Sequence, residues 1–280
     1  MPDSEADAVD RETPSAPAAP LTPPPNPAGG RTLIVDGSDP SCYPRPSAAL
    51  ADAEAGDQVF VRPGRYEDKI FLVGGPVRLI GAGRDLVEIF SRRTGPIYLQ
   101  RLPSGTISDI TFRYVGSDQH SAVNLLDSTC TISRCRIADG LLSGIVIYGP
   151  ESRPTLADNE VCRNRESGIF VFAGAAPYLT RNDCFDNHHF GIALRDPGTK
   201  PDVIRNTCRD NRLSGILLFH HAHALLLDNV CRDNDHWGLV LTPDSGTTPP
   251  HDELATANAL AANPRGAVTV TDSPLADIGR

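Results

Sequence analysis

Asparagine recurs in pairs down the middle of the chain, at Asn159 and Asn164, Asn182 and Asn187, Asn206 and Asn211, and Asn229 and Asn234. A glycine followed by an aliphatic residue closes each unit, at Gly168-Ile169, Gly191-Ile192, Gly215-Ile216 and Gly238-Leu239, so the glycines lie 23, 24 and 23 residues apart. A period of this length denotes stacked units that each contact chiefly their neighbours. Upstream, Gly144-Ile145 keeps the closing signal with Cys135 in the asparagine column, and Ala122-Val123 is a more degenerate copy. Downstream, Asn258 and Asn263 keep the offset of five, and Ala267-Val268 fills the glycine-aliphatic slot. The asparagine register therefore takes precedence over the helix that alanine-rich residues 253–262 would otherwise suggest on propensity.

After each glycine the chain reads apolar, variable, apolar, as in Ile169-Phe170-Val171 and Ile216-Leu217-Leu218. Alternation of period two places the first and third side chains on one face, the mark of a strand. A second short strand carries Val161, Cys184, Cys208 and Cys231 in one column, two residues after each asparagine. Units of this size are too short for a strand plus a crossover helix. The remaining solution is a coil of short strands pairing in parallel with the next coil at about 4.8 Å. The expected fold is all-β, a parallel β-helix. In it the asparagines are expected to be structural, held at bends where left-handed φ is tolerated. The glycines are expected to mark corners with unusual backbone angles.

The chain resembles the right-handed parallel β-helix proteins of the pectate-lyase-like superfamily, including carbohydrate-binding and sugar-hydrolysis modules, over residues 32–270. Besides the coils, the resemblance rests on the entry segment PSAALADAEAGDQVFVRPGRYEDKIFL, followed by VRLIGAGRD. It implies a right-handed single-stranded solenoid with an N-terminal capping helix over residues 47–55, a first strand over 58–61, a "pGxY" turn over 63–66 and an "l-x-G-x-G" over 79–83. Independently, Ser47 suits an N-cap and Gly56 a helix stop. The superfamily holds lyases, hydrolases, esterases, epimerases and noncatalytic modules, so the fold alone does not choose an activity.

The domain plan is a proline-dense tail over residues 1–30, one β-helix over 31–272 and a short tail over 273–280. The first tail has almost no large apolar groups and is expected to be disordered. Net charge is −9, and only Lys69 and Lys200 are lysines. Nothing supports binding to a nucleic-acid backbone, and no apolar run has membrane-spanning length. The seven cysteines are odd in number and form no CxxC pair. Neither a disulfide framework nor a zinc finger is indicated, and without a basic leader the expectation is a cytoplasmic location.

Function would lie in the outward columns of the post-glycine strands. One reads Tyr98, Asn124, Val146, Phe170, Ala193, Leu217, Val240, and the next reads Gln100, Leu126, Tyr148, Phe172, Arg195, Phe219, Thr242. A solvated sheet face should carry polar groups outward. Val146, Tyr148, Phe170, Phe172, Leu217 and Phe219, with Arg195, instead form an expected partner-binding strip. The partner is another protein, a second copy of the chain or a glycan, with intramolecular cover as a further reading. Polar residues flank the strip, and His189, Arg195, Arg212 and His236 are the candidates for acid–base or carboxylate-neutralising roles. Register places Arg212 between His188 and Asp235. The acidic calcium cluster of pectate lyases and the Asp-Pro-His-Glu motif of alginate epimerases are absent. On an extended segment His221 and His223 would point the same way, with His188 or His236 as a third ligand, but no Cys or acidic residue has an evident ligand spacing with the His220, His221 and His223 cluster, so neither a metal nor a cofactor is assigned. The resulting expectation is a noncatalytic binding or scaffold module. The alternative is a polysaccharide lyase or glycoside hydrolase using the same face as its groove.

Overall fold

The computed structural model describes residues 22–75 and 77–275. Among them the chain forms a right-handed parallel β-solenoid whose coils visit three sheets in turn, of ten, eight and nine strands. Every strand pairing between neighbouring coils is parallel. In the nine-stranded sheet the register runs Val123, Ile145, Ile169, Ile192, Ile216 and Leu239, with Val268 closing the series. Both the degenerate upstream copy and the shortened downstream copy thus occupy their expected places. These aliphatics point inward; all but Val268 are buried, and together they line one continuous core.

The two asparagine columns form two internal ladders. In the first, Asn182 Nδ2 donates to Asn206 Oδ1 at 2.9 Å and to the Leu156 carbonyl at 2.9 Å, while the Asn182 N–H donates to the same Oδ1 at 3.0 Å. The second repeats this through Asn187 and Asn211. Each interior amide thus uses both hydrogens and both lone pairs, so a buried polar group costs little. One expectation needs correction: the left-handed residue is the one before each asparagine. Asp158, Arg181, Arg205 and Asp228 have φ of 58°, 52°, 58° and 55°. That residue, exposed at Arg181, Arg205 and Asp228 and half-buried at Asp158, turns the backbone so that the asparagine side chain points inward.

The repeat glycines are likewise not required by φ. A Cβ on Gly191 would lie 2.7 Å from Cys208 Sγ and 2.8 Å from the Gly215 carbonyl, so close approach of the next coil excludes a side chain. The cysteine column behaves as expected, with Cys184, Cys208 and Cys231 aligned, free and fully buried.

The helix at the N-terminal end spans Pro46–Asp52 and packs on the first strands. Ser47 is not its N-cap. Arg45 holds that position without a side-chain bond, and Asp68 caps the helix from outside, accepting from Ser47 N at 2.7 Å and Ser47 Oγ at 2.6 Å. A carboxylate at the helix start serves the free N–H groups as well as a local cap does. Gly56, at φ 91°, lies beyond the helix, which ends at Asp52. Near the other end, His251–Glu253 and Leu254–Ala257 form helical turns before Asn258 and Asn263 resume the ladders. Helical propensity and the asparagine register therefore divide that segment between them. Residues 1–21 of the N-terminal tail and 276–280 of the C-terminal tail lie outside the described residues. Ordered structure begins before residue 31, since Asn26 Nδ2 donates to the Gly56 carbonyl at 2.8 Å and Gln58 Nε2 to the Pro24 carbonyl at 2.8 Å.

Candidate functional site

The outer face of the nine-stranded sheet is the candidate site, and cross-strand register confirms its columns. Phe71, Tyr98, Asn124, Val146, Phe170, Ala193, Leu217 and Val240 align, as do Leu126, Tyr148 and Phe172 beside them. The alternation that buries Ile97 and Leu99 turns Tyr98 and Gln100 outward, and each strand repeats the choice.

The face is not uniform along the axis. Toward the N-terminal end it is open: Phe71 is 55% exposed, and Tyr98, Val146, Tyr148, Phe170 and Phe172 are half-buried. The rings form two stacked groups along the face. Phe71 stacks on Tyr98 at 5.3 Å, Tyr148 lies parallel to Phe172 at 5.4 Å, and Phe172 meets Phe170 at 4.9 Å. The hydroxyls of Tyr98 and Tyr148 hydrogen-bond at 2.7 Å across the intervening coil. Partial burial and this bond push the Tyr148 pKa well above the ordinary phenol range, so it is a neutral hydroxyl. Arg195 ends the second group with its guanidinium 5.3 Å from the Phe170 ring centre and 5.1 Å from that of Phe172. Its Nε lies 3.1 Å from Asp196 Oδ1, in ionic contact without hydrogen-bond alignment. Planar polar groups, Gln100 and Asn124, sit among the rings in the same columns.

Toward the C-terminal end the face is closed, which corrects part of the expected binding surface. Leu217 is 0% and Phe219 5% exposed, and they pack with Phe190, Ala193, Leu213 and Val240 in a second apolar cluster outside the coil. Phe170 and Trp237 pack partly against it. Leu217 and Phe219 are therefore core residues of an external layer, not open contact residues.

The catalytic candidates do not converge. His189, Leu213 and His236 share a column through successive backbone bonds, so one whole coil separates the two histidines. Burial lowers the His189 pKa, opposed by the Glu166 charge. His236 lines a cavity of about 320 Å³ with Phe190, Leu213 and Trp237. Arg212 is exposed in the adjacent column, and no ion pair joins it to Asp235 among the described residues. Arg195 lies at the far end of its strand from His189. His220 and His221 both adopt left-handed φ, of 50° and 60°, so His221 and His223 do not share an extended segment. His221 faces Asp244 at 3.4 Å instead. Among the described residues no group of three or more His, Cys, Asp or Glu side chains could hold a metal ion.

Sequence reasoning missed Phe71 and Phe190. The alternation in Ile70–Val73 was the available signal for Phe71. Phe190 lies in the column just before the repeat glycines, which otherwise carries Ser143, Ser167, Ser214 and Trp237, so position alone gives no apolar signal.

The sequence matches the right-handed β-helix region family over residues 99–250, more than half of the chain, and the protein belongs to that family. Similar solved structures include a pectate lyase at 12% identity, with TM-score 0.59, covering 87% of this chain and 78% of that one. A mannuronan C-5 epimerase A-module from Azotobacter vinelandii is 16% identical, with TM-score 0.54, covering 72% and 68% respectively. A pectin methylesterase in complex with a hexasaccharide is 11% identical, with TM-score 0.51, covering 77% and 80%. At these identities the likeness is one of fold. No curated relative matches the sequence at a significant level.

Proposed function

We propose that the protein is a noncatalytic glycan-binding module and that the open half of the nine-stranded sheet's outer face is its binding strip. The observation that carries this reading is the two stacked aromatic groups from Phe71 to Phe172, ended by Arg195 and interleaved with Gln100, Asn124 and two phenol hydroxyls. Rings supply apolar contact, and planar amide, guanidinium and hydroxyl groups supply the few directional bonds that orient a ligand. The strip crosses six coils, about 24 Å at strand spacing, which suits an extended chain lying along the axis. The piled rings offer mainly their edges, while the exposed face of Phe71 is available for stacking. Similar folds include a pectate lyase and a pectin methylesterase holding a hexasaccharide, which supports a sugar ligand in preference to another protein or a second copy. The scattering of His189, Arg195, Arg212 and His236 favours binding over turnover, since general acid–base work needs groups within reach of one bond. Seven free thiols accord with a reducing, cytoplasmic setting as part of the same proposal.

The test is titration of the full chain with neutral and uronate oligosaccharides, with product release followed in parallel. Saturable binding without turnover is expected. Replacing both Phe170 and Phe172 by serine should weaken it about tenfold or more while the fold persists. Release of shortened or unsaturated sugars would instead establish the hydrolase or lyase reading.

A further inference from the structure

The outer face of the eight-stranded sheet carries a different pattern. Across the strands Gly64–Glu67, Val87–Ser91, Thr111–Tyr114, Arg136–Ala138 and Glu160–Cys162, one outward column reads Arg65, Glu88, Thr111, Arg136, Glu160. Charge alternates along it except at Thr111, where a short side chain leaves a gap. Around that gap lies a groove of about 390 Å³ whose lining includes Arg65, Arg84, Arg113, Arg136 and Arg163 together with the carboxylates of Asp85 and Glu88. This gathers five guanidinium groups on a chain of net charge −9.

Carboxylates hold these arginines in place but are outnumbered. Glu160 is shared by Arg84 at 2.6 Å and Arg136 at 2.7 Å. Asp139 is shared by Arg113 at 2.6 Å and Arg163 at 3.0 Å. Glu88 takes Arg65 at 3.0 Å and Arg113 only loosely at 3.6 Å, and Asp85 takes Arg136 at 2.8 Å. Four anions therefore serve five cations. Each guanidinium has five N–H donors, so donors remain after these contacts. The side chains of Arg84, Arg113 and Arg136 are about one-third exposed, at 31%, 33% and 29%. Their fixed, partly desolvated geometry reduces the ordering cost of binding. Thr111 itself is anchored, its Oγ1 donating to the Arg84 carbonyl at 2.6 Å.

We propose that this groove is an oxyanion site that seats a phosphate or sulfate ester above Thr111, between Arg84, Arg113 and Arg136. Planar guanidinium groups gathered in one groove offer paired donors of the kind that bind tetrahedral oxyanions. The groove exceeds the volume of the anion and leaves room for the molecule that carries it. The site lies on another sheet from the aromatic strip and does not depend on the glycan reading.

The experiment is calorimetric titration of the full chain at low ionic strength with inorganic phosphate and, separately, inorganic sulfate. Saturable one-to-one binding of either is expected, and the preferred ion identifies the ester class. Arg113→Gln should weaken it about tenfold, the loss of a charge-assisted contact. Thr111→Glu, which fills the gap with a carboxylate, should abolish binding in protein whose circular dichroism remains that of the folded β-solenoid, at some loss of melting midpoint because the bond to the Arg84 carbonyl is lost. Absence of saturation with both ions in the wild-type chain would overturn the proposal. So would binding that survives both substitutions in folded protein, since the ion would then sit elsewhere.

Discussion

The two halves of the nine-stranded sheet's outer face share one register and one alternation, yet they are different materials. Near Phe71 the outward side chains are open and stack on one another along the axis. Near Leu217 they are sealed under Phe190, Leu213 and Phe219 into a second core. Outward direction is thus a property of the strand, while exposure depends on what the flanking residues lay over it. An apolar outward column becomes a binding surface in one half and a stabilising layer in the other.

The largest expected contrast comes from Leu217→Ala, which should cost about 2–5 kcal/mol, as for other buried leucines, and is read from the denaturant midpoint. Phe172→Ser in the open half should cost only about 1 kcal/mol, chiefly the lost ring contact, while weakening oligosaccharide binding. Equal destabilisation by the two would erase the distinction between the halves. A finer probe is Tyr148→Phe, which removes a partly buried hydroxyl bond and should cost about 1 kcal/mol or less with the pile preserved. Acidification gives the most local effect. Burial holds His189 below its ordinary 6.5, as it does His188 with help from the Arg212 and Arg165 charges. A depressed folded-state pKa means that stability present above 6.5 is lost as the pH falls through 6.5 toward the folded value. Amide protection factors, taken relative to the intrinsic exchange rate at each pH, should therefore fall near Phe190 and Leu213 on acidification before they fall near Tyr98; a uniform fall would contradict that placement.

Much of the fold was legible because a solenoid writes its geometry as a period. Asn159 to Asn234, the glycines and the cysteine column gave the coil length, the parallel pairing and the inward and outward faces. Features that depend on the next coil or on distant chain escaped. Gly191 is constrained by Cys208 and the Gly215 carbonyl, not by its own φ, and the left-handed turn falls on residues such as Arg181 that carry no distinguishing side chain. The cap of the first helix comes from Asp68, 21 residues from Ser47. For the candidate site, the columns containing Tyr148, Phe172 and Arg195 were readable. Phe71 follows from the alternation in Ile70–Val73.

The sequence by itself determined the repeat, the strand register and which side chains leave the coil, since these follow from local periodicity and from the hydrogen-bonding demands of buried asparagine. Only the tertiary structure decided which outward residues stay open, that His189, Arg195, Arg212 and His236 lie apart, and that arginines from successive coils enclose a groove around Thr111. Those outcomes depend on side-chain packing between coils and across sheet faces, where residues distant in sequence meet and no periodic signal marks the contact.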